Sequence, residues 1–208
     1  MKSFLKLFLS TGIISVLLVA APAKAQTDEP GIGIKGGLNL TNLYIDDVDD
    51  ENLGVGVQVG IVGRLPFTSV LSLQPELLYT QKGATAVSDA LDQEVAFNLN
   101  YLQLPLLFAF NAGDVFNLHL GPYAAYLLNA NVKYDGTVDA VTELNADNFN
   151  RFDAGLSLGF EIGVRNLSVG ARYDYGLIGV GNEGFVSELT GLENAKNNAI
   201  QVYLVLGM

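Results

Sequence analysis

The chain has 208 residues, half of them hydrophobic, no cysteine, and a formal net charge of −11. That length holds one domain with a full core; the missing thiols exclude disulfides, thiolate metal sites and cysteine nucleophiles; and so acidic a chain is a poor partner for nucleic acid. Mean hydropathy is +0.31, high for a soluble protein, yet the body of the chain holds no apolar run of the ~18 residues a transmembrane helix needs.

Lys2 and Lys6 precede an apolar run from Leu7 to Ala20, and Ala23-Lys24-Ala25 follows as a small-x-small site. Residues 1–25 read as a secretory signal peptide, so the mature chain is expected to be exported.

From residue 31 onward the apolar residues fall at alternate positions, the period of an extended strand. The first strand spans about 31–44, with Ile32, Ile34, Leu38 and Leu40 opposite Lys35, Gly37, Asn39 and Thr41. An acidic loop follows, with Asp46, Asp47, Asp49, Asp50 and Glu51. The second strand, about 53–65, sets Val55, Val57, Val59 and Ile61 against Gly54, Gly56, Gln58 and Gly60. The third, about 70–82, sets Leu71, Leu73, Leu77 and Tyr79 against Ser72, Gln74, Glu76 and Thr80. A polar loop is expected over 83–94.

The fourth strand, about 95–110, carries Leu102, Leu104, Leu106, Phe108 and Phe110 on one face. Phe97 and Leu99 are out of phase with that set, which predicts a bulge near Asn100; Pro105 is awkward in mid-strand because it cannot donate to a ladder. The fifth strand, about 115–132, alternates Phe116, Leu118, Leu120, Ala124, Tyr126 and Leu128 with Asn117, His119, Gly121, Tyr123 and Ala125. A long loop is expected over 133–148.

The sixth strand, 151–164, has the clearest alternation. Phe152, Ala154, Leu156, Leu158, Phe160, Ile162 and Val164 are all apolar, and the residues between them are charged, polar or glycine. The seventh, about 167–177, turns Leu167, Val169, Ala171, Tyr173 and Tyr175 one way and Ser168, Gly170, Arg172, Asp174 and Gly176 the other. If Arg165 and Asn166 form a two-residue turn, Leu158 faces Tyr173 and Gly159 faces Arg172, with parity kept along the hairpin. Glu161 then lies diagonally from Arg172, within reach of it. After a loop over 178–198 the eighth strand, 199–208, shows Ile200, Val202, Leu204, Leu206 and Met208 on one face.

A polar face built largely of glycine is a crowded face, not a solvated one. The pattern therefore predicts an all-β fold: an eight-stranded antiparallel up-and-down transmembrane barrel with apolar residues facing lipid and a filled polar interior. Connections alternate long and short, which places long loops outside and both termini on the periplasmic side. Tyr44, Tyr79, Phe97, Phe116, Tyr134, Phe149 and Tyr175 suit interfacial girdles. The competing architecture is a soluble exported lipocalin-like barrel for a small ligand. It would turn the glycine-rich face of the second strand to water, which fits poorly.

Several of these segments resemble PorT-like outer-membrane barrels of Bacteroidetes-type bacteria. Gly33-Ile-Lys-Gly-Gly-Leu-Asn-Leu-Thr-Asn42 is similar to the opening strand of that family, and Leu73-Gln-Pro-Glu-Leu-Leu-Tyr79 to its third. Tyr101-Leu-Gln-Leu-Pro-Leu-Leu107 resembles the fourth, proline included. Gly121-Pro-Tyr123 and Asp153-Ala-Gly with Gly159-Phe-Glu161 resemble the fifth and sixth. The resemblance covers nearly all of the mature chain and implies its fold and location. It implies little about activity, and no residue here carries over the namesake's role in protease secretion. Such barrels usually close on an aromatic residue; Met208 departs from that, and weaker or different recognition by assembly machinery is expected.

The inward charges are Lys35, Arg64, Glu76, Lys82, Arg151, Asp153, Glu161, Arg165, Arg172 and Asp174. Buried charges must pair, because an isolated one costs several kcal/mol. Lys35, Glu76, Arg151, Asp153, Glu161, Arg172 and Asp174 are therefore expected to form an interior charge network, with Lys35, Glu76, Glu161 and Arg172 at its middle. A narrow ion or proton path through the same residues is the functional alternative. No catalytic set is visible: His119 is the single histidine and no nucleophile elbow accompanies it. The acidic residues 46–51 lack the spacing of a calcium loop and read as a solvated loop, able at most to bridge cations to lipopolysaccharide. No metal site and no cofactor is expected. The partners implied are outer-membrane lipid and lipopolysaccharide and the outer-membrane assembly machinery; the sequence names no specific protein partner.

Overall fold

A computed structural model describes residues 30–44, 54–88, 93–113, 115–136, 140–144, 150–179 and 196–207. Among them are nine strands: β1 (Gly31–Tyr44), β2 (Gly54–Pro66), β3 (Leu71–Ser88), β4 (Gln93–Ala112), β5 (Phe116–Gly136), β6 (Ala140–Leu144), β7 (Phe152–Val164), β8 (Leu167–Gly179) and β9 (Lys196–Leu206). Every pairing is antiparallel. Eight of the strands close on themselves in the order β1-β2-β3-β4-β5-β7-β8-β9, with β9 back against β1. The short β6 stands apart from this ring and pairs only with the far end of β5.

The barrel's stagger can be read from one row of paired residues. Asn111 pairs with Asn117, then Glu161, Gly170, Tyr203, Gly37, Gln58 and Thr80, and the row returns to β4 at Tyr101, ten residues from where it began. For eight strands that stagger corresponds to a tilt of roughly 40°. Any row followed from β5 through β7 to β2 therefore climbs away from the short turns. The end carrying the turns at 67–70 and 165–166, where Ala112 also pairs with Phe116, is called the turn end below, and the opposite end the loop end.

The faces are inverted relative to a soluble barrel. Ile32, Ile34, Leu38, Val55, Val57, Val59, Ile61, Leu104, Phe108, Leu118, Leu158, Val202 and their outward neighbours are exposed, while Lys35, Gln74, Glu76, Gln103, Asn117, Ser157, Glu161, Arg172, Asp174 and Gln201 are buried. This removes the lipocalin-like alternative, whose apolar side chains would have to lie inside. Aromatic pairs mark both margins of the apolar belt: Phe116 stacks on Phe160 with ring centres 6.1 Å apart, and Tyr126 meets Phe152 edge-on at 5.2 Å. Along β5, Phe116 and Tyr126 are ten residues apart. At a rise of about 3.4 Å per residue and this tilt, they are separated by a height of ~25 Å, that of an outer-membrane apolar band. Tyr79 and Tyr175 are also exposed on the outer face. Phe149 and the acidic residues 46–51 lie outside the described residues, as do the side chains of Tyr44, Phe97 and Tyr134.

The predicted strands are present, the bulge and the tight turn fall where expected, and the differences lie in two of the loops. The expected loops 83–94 and 133–148 are shorter than their polar composition suggests: β3 and β4 stay paired out to Ser88 and Gln93, and β5 runs on to Gly136 with β6 beside it. The bulge falls where the phase slips, between Asn100 and Tyr101. The tight turn has Val164 opposite Leu167, with Arg165 in a left-handed conformation at φ 61°.

Pairing lapses beside two of the strand prolines, while Pro122 stays paired with Leu156 on β7 without interruption. Regular β3–β4 pairing lapses between Leu106 and Gln103, beside Pro75 and Pro105, and β2–β3 pairing lapses beside Pro75. A proline offers no N–H to either neighbour.

Candidate functional site

The interior is arranged in tiers, and the inward glycines of β2 explain how the tiers form. Lys35 on β1 pairs with Gly60 on β2. With no side chain there to block it, the lysine reaches over β2 to β3, placing Nζ 3.1 Å from Glu76 Oε2. Asn39 crosses above Gly56 in the same way and donates to Thr80 Oγ1 at 2.8 Å and to the Gln81 carbonyl at 2.9 Å. Thr41, opposite Gly54, donates to the Gly83 carbonyl at 2.6 Å. A thin second strand thus ties β1 directly to β3.

The middle tier centres on Glu76. The Arg172 guanidinium grips it in a two-point fork, Nη1 to Oε2 at 2.8 Å and Nη2 to Oε1 at 2.7 Å. Gln74 Nε2 donates to Oε1 at 2.8 Å. Tyr203 closes the tier from the side: its ring centre is 3.7 Å from Lys35 Nζ and 5.2 Å from the Arg172 guanidinium carbon. The tyrosine fits because Gly170 faces it; a Cβ at Gly170 would stand 2.5 Å from the ring.

Above it, Asp174 carries no direct ion pair among the described residues and is held instead by three neutral donors. Ser157 Oγ donates at 2.6 Å, and Gln103 and Gln201 Nε2 each at 2.8 Å. Nearer the loop end, Lys82 Nζ lies 3.2 Å from Asp153 Oδ2 and 4.6 Å from the Tyr123 ring centre. Asn197 Nδ2 donates to the same Asp153 oxygen at 3.3 Å and to the Tyr101 hydroxyl at 3.1 Å. Leu99, Tyr101, Tyr123, Ala125, Leu127 and Ala130 pack into an apolar cluster at this end.

The expected network is thus regrouped. Lys35, Glu76 and Arg172 meet at the middle, Asp174 lies one tier higher and Asp153 higher still. Glu161 is not with them. It points into the lumen nearer the turn end, where its ion partner is Arg64 at 4.0 Å. The cause is competition across the lumen: the stagger carries Glu76 of β3 opposite Arg172, and two oxygens on two guanidinium nitrogens outweigh a diagonal contact between neighbouring strands. Arg151 sits at the bend before β7, where its carbonyl accepts from Leu127 N at 2.8 Å; Arg165 is exposed in the turn. Arg64 and Lys82, absent from the expected network though recognised as inward, are members of it. Tyr203 was not legible as a site residue; Gly170 and Gly37 facing it were the available signal. Among the described residues no three metal-ligating side chains converge, and His119 is buried with neither ring nitrogen hydrogen-bonded.

A family model described as the outer membrane protein beta-barrel domain matches residues 24–181. The chain belongs to this family. It is an integral barrel of the cell outer membrane. Among solved structures, Neisserial surface protein A is similar at 13% identity, with 89% of this chain and 99% of that one covered and a TM-score of 0.53. The attachment invasion locus protein Ail of Yersinia pestis is similar at 14% identity, covering 86% and 99% with a TM-score of 0.46. The N-terminal barrel domain of Pseudomonas aeruginosa OprF aligns at 10% identity, covering 86% and 100% with a TM-score of 0.40. No curated protein matches the chain.

Proposed function

We propose that this protein is a sealed outer-membrane barrel with a structural, surface-interaction or accessory role, and neither an open pore nor an enzyme. The observation that carries this reading is the middle tier. Lys35, Glu76, Arg172 and Tyr203 come from β1, β3, β8 and β9, meet across the lumen and are all buried. Among the described residues the buried charges together with Arg64 are four cations (Lys35, Arg64, Lys82, Arg172) and four anions (Glu76, Asp153, Glu161, Asp174), so that set balances. An eight-stranded ring is just wide enough to be filled by its own side chains.

Within this reading residues 1–25 are the signal peptide, the turn end faces the periplasm, and the chain is a PorT-like member of its family. Lipid covers the apolar belt and lipopolysaccharide the outer rim; the outer-membrane assembly machinery inserts the barrel without any cofactor. The test is conductance in planar bilayers. The folded protein is expected to leave the membrane silent, and Glu76→Ala, which removes the shared anion, to be the variant that leaks. Stable unitary currents from the unaltered protein would refute the sealed reading in favour of an ion path.

A further inference from the structure

The turn end of the lumen gathers unpartnered polar side chains, and orphaned atoms also occur in the tiers above it, on Gln58, Asp153, Arg172 and Tyr203 among others. Asn117 of β5 and Glu161 of β7 are direct cross-strand partners facing inward. His119 is the next inward residue of β5, and Ser72 of β3 points into the same end. All four are fully buried. Arg64 crosses from β2 toward Glu161 at 4.0 Å, too long for a hydrogen bond, with its side chain 13% exposed. Among the described residues no hydrogen-bond partner meets Ser72 Oγ, either side-chain atom of Asn117, either ring nitrogen of His119, either oxygen of Glu161, or Arg64 Nε and Nη2. Ser168 is the neighbouring donor that reaches toward the Glu161 carboxylate, outside hydrogen-bonding geometry for either oxygen. Glu76 in the middle tier, by contrast, has both oxygens engaged.

Buried polar atoms in folded proteins are hydrogen-bonded to protein or to ordered water. The ligand that fits this group must donate and accept at short range, because carboxylate oxygens, an imidazole, an amide and a hydroxyl converge. A metal ion lacks ligands here, since among the described residues no three metal-binding side chains gather. An anion is repelled by Glu161. We propose that the turn-end part of the lumen is a water-binding chamber, in which ordered water bridges Glu161, Asn117 and His119. Arg64 stands at its mouth, and the Glu76–Arg172–Lys35 tier closes its inner end. The hydrated chamber goes beyond the sealed-barrel reading; its closed inner end rests on that reading.

His119 is the single histidine and the chain has no cysteine, so both probes are free of background. In protein labelled with nitrogen-15 at histidine and folded in detergent micelles, the imidazole protons are expected to show cross-relaxation with water. An imidazole with no water cross-peak overturns the chamber, whatever the bilayer result. In the second arm, Asn117→Cys and Ser157→Cys are treated with silver ion, after heat-modifiable gel mobility has shown each variant folded. Asn117→Cys is expected to react about 100-fold faster, because Ser157 lies beyond the closing tier and a thiol reacts only where solvent reaches it. Equal rates, fast or slow, overturn the closed end. A hydrated His119 with a conducting bilayer refutes the seal and leaves the water site; a dry His119 with a silent bilayer refutes the water site and leaves the seal.

Discussion

At the scale of single residues, the interior separates two carboxylates that look alike in the sequence. Glu76 is shared by Arg172 and Lys35, both fully buried. Removing it leaves two buried cations without their direct ion-pair partner. Glu76→Ala is therefore expected to cost about 3–5 kcal/mol, the range for breaking a buried ion pair by deleting one partner. Glu161→Ala is expected to cost less than half as much, since Arg64 is 4.0 Å away and partly exposed. Urea unfolding of the two variants in the same lipid vesicles, followed by tyrosine fluorescence, measures the difference; a Glu161→Ala loss equal to or larger than that of Glu76→Ala contradicts this ranking. The sequence suggests the opposite assignment, with Glu161 as the partner of Arg172. Hairpin register is written in local alternation and gives the diagonal neighbour correctly. What it omits is the ten-residue stagger, which decides who meets whom across the lumen and emerges only when all eight strands close.

At the scale of elements, β2 is the clearest case of sequence dictating packing. Its inward glycines let β1 side chains reach β3, and a side chain there would collide. A Cβ at Gly60 would come within 2.8 Å of the Leu78 backbone. Gly36 on β1 faces the other way, and a Cβ there meets nothing nearer than the Gln58 carbonyl oxygen at 4.0 Å. Gly60→Ala is expected to destabilise the barrel by about 1–3 kcal/mol, the cost of overpacking, while Gly36→Ala changes stability little. The reading is tested by comparing the urea midpoints of both variants, refolded side by side; matching midpoints would show that β2 is not the confined strand. Strand existence and facing were legible because lipid on one side and a crowded lumen on the other impose strict alternation. The outer ends of β3, β4 and β5 were not legible. Beyond the apolar belt no lipid selects one face, so the two-residue period fades while backbone pairing continues, and residues such as Gly83 to Ser88 read as loop.

At the scale of the whole molecule, the apolar belt is the structural statement with the most leverage, because it converts position into energy. Leu158 is an outward residue near the middle of β7, opposite Tyr173 on β8 and Leu120 on β5, and it is 53% exposed. In a bilayer its surroundings are hydrocarbon, so Leu158→Arg is expected to cost about 2–4 kcal/mol. Phe67, in the turn after β2, is just as open to the outside but lies at the margin of the belt, where the same substitution costs about 0–1 kcal/mol. The contrast separates lipid from water as the medium around the barrel. In water, the two arginines would be nearly equivalent, and each would relieve an exposed apolar side chain. Refolding both variants into vesicles and extrapolating their urea transitions gives the two costs, and repeating the measurement in bilayers of shorter acyl chains moves the expected boundary inward. The Phe67→Arg cost should then stay small and the Leu158→Arg cost should fall, because thinning the hydrocarbon brings the middle of β7 closer to the interface. A Leu158→Arg cost that ignores bilayer thickness would mean that this face is covered by protein rather than lipid.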